Sequence, residues 1–180
     1  MLKSRLIARI ALCTALIAVS AQISFPLPSG IPVTLQTFAI AFAAAFLGAK
    51  YGLVSVVCYL LLGACGVPVF AGWKGGFGVL VGVTGGYLTG FLPFAVLVGL
   101  SGRARLPLAA LLCTMGLAVC HLFGILQFHF VAGTPFLAAF LKASAPYLVK
   151  DAVSVAGAVL LGKKLSSAFQ PKGGDSSMPA

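Results

Sequence analysis

APYLVKDAVSVAGAVLLG, residues 145–162, is an apolar run with a carboxylate set in it. Asp151 is the only acidic residue before the C-terminal tail, in a chain with two acids among 180 residues. On insertion scales an ionisable side chain at the centre of a membrane helix costs roughly 2.5–3.5 kcal/mol. A residue kept at that cost is a functional-site candidate, and Lys150 stands beside it. Adjacent residues on a helix do not face each other, so a further partner for Asp151 is expected.

The rest of the chain fits the same solvent. Charged residues make up 8%, against about 25% in soluble domains. A membrane helix takes about 20 apolar residues, which leaves room for about six spans and no separate soluble domain. The expected fold is therefore an all-α integral membrane protein with six transmembrane helices. Residues 1–169 form one membrane domain and residues 170–180 a polar, disordered tail. The net charge of +10 is dispersed between spans and gives no reason to expect nucleic acid. Cys13, Cys58, Cys65, Cys113 and Cys120 all lie in apolar context without a ligand spacing, so they read as packing residues, with neither disulfide nor metal.

Proline and glycine punctuate the apolar runs. Spans are expected near residues 6–23, 34–49, 53–65, 79–100, 108–131 and 147–165. The first of these has basic residues before it and small residues after it, as a cleaved leader would. The chain beyond it is again apolar membrane sequence, not a secreted domain, so it reads as a span. Three irregular segments remain, at 24–32, 66–77 and 133–146, the last reading as a short surface or re-entrant helix. With a cytoplasmic N-terminus, Lys3, Arg5, Arg9, Lys50, Arg103, Arg105, Lys163, Lys164 and Lys172 all fall inside. The outer side receives Lys74 and Lys142, with Lys150 in the membrane, so the positive-inside rule places both termini in the cytoplasm. The three irregular segments then share the outer face. Irregular backbone near a membrane is tolerated where it lines a cavity, so a substrate cavity near the outer face is expected, although ordinary connecting loops would give the same pattern.

Gly78, Gly82, Gly86 and Gly90 recur every four residues and allow another helix to come close. Ala11 and Ala15 form a smaller stripe that could pack inside the bundle or dock a partner helix. Trp73 and Lys74, in a Gly-rich loop, could cover an anionic ligand, or anchor the loop at the interface. His121 and His129 have no carboxylate near them in sequence and read as structural. No H-E-x-x-H, G-x-S-x-G or nucleotide-binding G-x-x-x-x-G-K-[ST] motif occurs. Two acids cannot build a carboxylate dyad or proton relay. A solitary aspartate suits holding a small polar group rather than pumping ions.

Ile31-Pro-Val-Thr-Leu-Gln-Thr-Phe38 resembles the BioY family, the biotin-specific substrate-binding (S) components of energy-coupling factor (ECF) transporters. Gly63-Ala-Cys-Gly-Val-Pro-Val-Phe-Ala-Gly72, then Gly75-Gly76 and Thr84-Gly-Gly-Tyr-Leu88, agree in order and spacing. Pro146-Tyr-Leu-Val-Lys-Asp151 is the third such stretch. The resemblance covers Arg9 to Lys164. It implies six spans with both ends cytoplasmic, and one biotin held near the outer face under the loops after spans one, three and five. It implies high-affinity biotin uptake across a bacterial-type cell membrane, driven by a transmembrane coupling protein (T component) and two ABC ATPases. The coupling contact would fall on Ala11 and Ala15. No cofactor is implied, and the chain would not be an enzyme. Two positions depart from the family pattern. Val83 stands where many relatives have proline, and Ser154 where many have a lysine three residues after the aspartate.

Biotin's own chemistry then distributes the roles. Asp151 would accept a ureido N–H in a charge-assisted hydrogen bond. Gln36 or Thr84 would donate to the ureido carbonyl, with Thr34 and Gly85 in the same family-like stretches. Lys74 or Lys150 would meet the valerate carboxylate. Phe70, Trp73, Tyr87 and Tyr147 would wall the rings and alkyl chain, as in pockets that are mainly apolar with a few placed polar groups. Two alternatives stay open. One is an S component for another vitamin, such as thiamine or riboflavin. The other is a non-catalytic membrane scaffold, which would not explain Asp151.

Overall fold

A computed structural model of the chain describes residues 2–27, 30–102 and 104–169. The expected tail at 170–180, with Lys172, lies outside the described residues, as do Arg103 and Pro28. Eight helices follow in order: α1 (Leu2–Gln22), α2 (Gln36–Leu47), α3 (Ala49–Ala64), α4 (Phe77–Val81), α5 (Gly85–Ser101), α6 (Leu106–Ala132), α7 (Phe136–Ala143) and α8 (Leu148–Phe169). The expected loop at 24–32 ends in a small ladder instead: β1 (Ser24–Phe25) pairs antiparallel with β2 (Val33–Thr34).

Small residues set the packing. Ala39, Ala41, Ala43 and Ala44 of α2 are fully buried, so α2 runs through the middle of the bundle with α8, α5, α3 and α1 around it. A side chain added at Gly52 or Gly162 would meet Ala44 or Ala45 of α2. Gly48, at φ 82°, makes the one-residue turn between α2 and α3. Gly99 of α5 lies against that turn at Ala49. The ends of α2, α5 and α8 therefore gather at one end of the molecule, near Lys50, Lys163 and Lys164. Their beginnings gather at the other.

The outward faces are apolar: Leu12, Leu106, Phe130, Leu137, Val149, Val153 and Leu160 are all exposed. Among the described residues, 4–22 and 106–132 are helices long and apolar enough to cross a bilayer, and a third span is added if α7 and α8, bent by 52°, count as one. Helices α2, α3 and α5 are apolar but shorter. At 12 residues, α2 spans only about 18 Å at 1.5 Å per residue.

The expected continuous helix over 79–100 is broken into α4 and α5. Gly82 ends α4 in extended backbone, and α5 restarts after Thr84. Gln127 of α6 satisfies the freed carbonyls: its Nε2 donates to Leu80 O (2.8 Å) and Gly82 O (2.7 Å). Buried backbone groups need such partners wherever a helix stops. The glycine stripe accordingly divides. Gly86 and Gly90 press on α6 at Phe123 and Cys120, whereas Gly78 faces open space.

Candidate functional site

A cavity of about 80 Å³ lies where α2, α5 and α8 begin. Its wall is drawn from all three family-like stretches. Thr34, Gln36 and Thr37 come from β2 and the start of α2. Phe70, Lys74, Thr84 and Tyr87 come from the 66–77 loop and the α4–α5 break. Tyr147, Lys150 and Asp151 come from the opening of α8. Nine of the eleven residues expected to bind substrate line this one cavity.

Asp151 is 6% exposed and sits in the first turn of α8, where the helix dipole favours a negative charge. Its Oδ2 is 3.4 Å from His121 Nε2, and its Oδ1 is 2.5 Å from Lys150 Nζ. Thr37 also faces the carboxylate. Contrary to the helix-geometry expectation, Lys150 does reach its neighbour through its long side chain. Lys150 Nζ also donates to Thr34 O at 2.8 Å. Oδ1 is buried and engaged by Lys150 Nζ, while Oδ2 faces His121. Tyr147 Oη donates to Ile31 O at 2.6 Å, and together Tyr147 and Lys150 pin the 31–34 segment to α8.

His121, read from sequence as structural, lies in the cavity wall facing Asp151. Its Nδ1 is 2.9 Å from Ser144 Oγ, which is 2.9 Å from Tyr87 Oη. Tyr87 donates to Ala143 O at 2.5 Å. Ser144, His121 and Asp151 match a hydrolytic relay in composition. However, Ser144 is fully buried and lies off the cavity wall. The chain instead fixes the imidazole and, through it, the carboxylate. His129 stands apart, with Nδ1 at Thr134 O and its ring against Phe136.

The covering loop is held by one side chain. Gln22 Nε2 donates to Val69 O (3.1 Å) and Phe70 O (3.2 Å), and its Oε1 accepts from Trp73 N (2.9 Å). Phe70 and Lys74 exchange backbone hydrogen bonds across the turn. Trp73 takes φ 59° in that turn and is 71% exposed, so its ring points away from the cavity it was expected to wall. Gly85 is also off the wall. It is buried at the α4–α5 break, where a Cβ would strike the Leu80 carbonyl.

The aromatic walls rest on glycines. Phe70 lies edge-on to Tyr59, with ring centroids 5.5 Å apart, and against Gly63. Tyr87 lies against Gly124. Phe91, Leu117 and Cys120 add to the apolar surface; none had been expected from sequence to bind substrate. Lys74 is the cavity cation with no carboxylate beside it among the described residues. No group of three His, Cys, Asp or Glu side chains there is arranged for a metal.

Ala11 and Ala15 are exposed and line an apolar groove between α1 and α3, with Ala18, Cys58 and Leu62. The stripe therefore faces outward.

The comparisons with known proteins agree with one another. A solved structure, described as the S-component for biotin from an ECF-type ABC transporter, matches with a TM-score of 0.83. The match covers 92% of each chain at 24% identity and shows a shared fold. The probable biotin transporter BioY of Pyrococcus horikoshii is 38% identical over 164 residues, covering 91% of this chain and 98% of that protein. The biotin transporter BioY of Thermotoga maritima is 46% identical over 119 residues, covering 65% of this chain and 70% of its own length. The family profile of BioY matches residues 1–171. The chain belongs to the BioY family.

Proposed function

We propose that this chain is the biotin-binding S component of an ECF-type vitamin transporter, taking biotin from outside a cell membrane and delivering it inward. One observation carries the reading. Three stretches separated by long apolar helices converge on one cavity around a buried carboxylate. A scaffold has no use for that arrangement.

The polar pattern suits a cyclic urea. Asp151 accepts a ureido N–H, and donors on Thr34 and Gln36 meet the carbonyl oxygen. Phe70, Phe91 and Tyr87 enclose the fused ring. Lys150 is occupied by Asp151 and the Thr34 carbonyl, so Lys74 at the rim takes the valerate carboxylate. The cavity of about 80 Å³ is smaller than the roughly 300–1,000 Å³ of ligand pockets. Binding therefore moves the covering loop.

The chain crosses the membrane six times, with α4 and α5 as one broken span and α7 leading into α8. Both termini are cytoplasmic and the cavity faces out. Lys50, Lys163 and Lys164 lie at the ends of α3 and α8 whose other ends lead to the cavity, which supports this orientation under the positive-inside rule. A T component and two ABC ATPases supply energy, and the T component docks on the Ala11/Ala15 groove.

The test is equilibrium binding of labelled biotin to detergent-purified protein, wild type beside Asp151→Asn. Saturable binding weakened at least about tenfold, or about 1.4 kcal/mol, is expected. Folded wild type that binds no biotin refutes the function. Binding indifferent to the substitution moves the site away from Asp151.

A further inference from the structure

The Gln36 side-chain amide lies between two hydroxyls, 2.6 Å from Tyr59 Oη and 3.1 Å from Thr34 Oγ1. Gln36 is 5% exposed and Tyr59 is fully buried. Gln36 and Thr34 line the cavity, whereas Tyr59 stands behind its wall. Which end of a side-chain amide is oxygen and which is nitrogen is decided by the hydrogen-bond network. With Nε2 toward Tyr59, the phenolic proton faces no acceptor among the described residues. A buried donor left unsatisfied has given up its water for no partner, so that orientation is disfavoured.

Turning the amide over removes that cost. Oε1 then accepts from Tyr59 Oη, and Nε2 donates to Thr34 Oγ1. The distances favour this orientation, because 2.6 Å suits O–H···O and 3.1 Å suits N–H···O, whose usual values are about 2.7–2.8 Å and 2.9–3.0 Å. Thr34 Oγ1 also accepts the backbone N–H of Gln36 at 3.3 Å. It is then filled as an acceptor, and its own proton is free. Gln36 Nε2 keeps a second hydrogen. The pair presents donors, beside the acceptor at Asp151.

We infer that Tyr59 is a specificity-determining positioning residue: by holding Gln36 Oε1 it turns Gln36 and Thr34 into a donor pair that selects a ligand carbonyl oxygen. This rests on the biotin reading and assigns the ureido carbonyl to that pair. Tyr59 touches no ligand itself. Without its hydroxyl the amide is free to turn back, and the pair would accept as readily as donate.

The experiment compares equilibrium binding of biotin and of 2-iminobiotin to the full chain in detergent near neutral pH, where the cyclic guanidine of 2-iminobiotin is protonated and presents N–H donors in place of the ureido oxygen. Tyr59→Phe keeps the ring against Phe70. It is expected to lose about fivefold for biotin, the equivalent of about 1 kcal/mol or one hydrogen bond, and less than about twofold for 2-iminobiotin. Gln36→Glu keeps an acceptor for Tyr59 but places a second acceptor where the donor stood, and should shift the ratio further the same way. Equal losses for both ligands, or an unchanged ratio, overturn the inference. If Tyr59→Phe does not fold, the ratio for Gln36→Glu decides alone. Wild type that binds neither ligand overturns the biotin reading itself, a result distinct from an unchanged ratio.

Discussion

Replacing Gly124 by alanine tests whether the aromatic wall depends on the helix behind it. A Cβ on Gly124 would land on the outer carbons of the Tyr87 ring, well inside van der Waals contact. Overpacking of this kind costs roughly 1–3 kcal/mol. If the ring retreats, the Tyr87 hydroxyl leaves Ala143 O and Ser144 Oγ, at about 1 kcal/mol each. Alanine returns up to about 1 kcal/mol of helix propensity. The net loss is of order 2 kcal/mol, or about 4–8 °C of melting temperature at this chain length. The retreating ring also moves into the cavity, so biotin affinity should fall at least about tenfold. Thermal unfolding in detergent and equilibrium binding read the two effects. Gly157→Ala is the control, because a Cβ at Gly157 meets nothing within 4 Å; it should match wild type or melt slightly higher. If the two variants are indistinguishable in both assays, the seating of Tyr87 on Gly124 is refuted.

Two further outcomes are expected. Lys74→Gln should weaken biotin at least about tenfold, as loss of a charge-assisted hydrogen bond would, and leave the neutral biotin methyl ester nearly unaffected; equal losses would remove Lys74 from the carboxylate. Ala15→Trp, which fills the α1–α3 groove, should leave biotin binding in detergent intact and abolish uptake in vesicles reconstituted with an ECF module, and sustained uptake would clear the groove of a docking role.

The helix boundaries were readable because prolines and glycines interrupt long apolar runs, and irregular backbone needs those residues. The break at Gly82–Thr84 was not readable. A glycine every four residues signals close packing equally well, and the group that makes the break affordable, Gln127, lies 45 residues away from Gly82. Asp151 and Lys150 stood out as polar residues in an apolar run, whereas Gln36 was reached only through the family resemblance. His121 did not, for a physical reason: α6 is apolar all round, so the pattern does not say which face turns inward, and the carboxylate partner is on another helix. Trp73 went the other way. Its loop reads equally as a ligand cover or an interfacial anchor, and the side of the loop on which the indole emerges is set by a positive φ and by Gln22, 51 residues earlier. Neither leaves a local trace in the sequence.

That outward indole makes the molecule its own optical instrument. The chain has a single tryptophan, and it sits on the turn between Phe70 and Lys74, tied through its backbone to the end of α1. Intrinsic indole emission from this protein therefore comes from one place, and that place is the rim of the cavity, which would report any movement of the loop on binding. Stopped-flow fluorescence without any dye or label would track the loop's motion alone, and ligand capture could be timed separately from everything the rest of the bundle does.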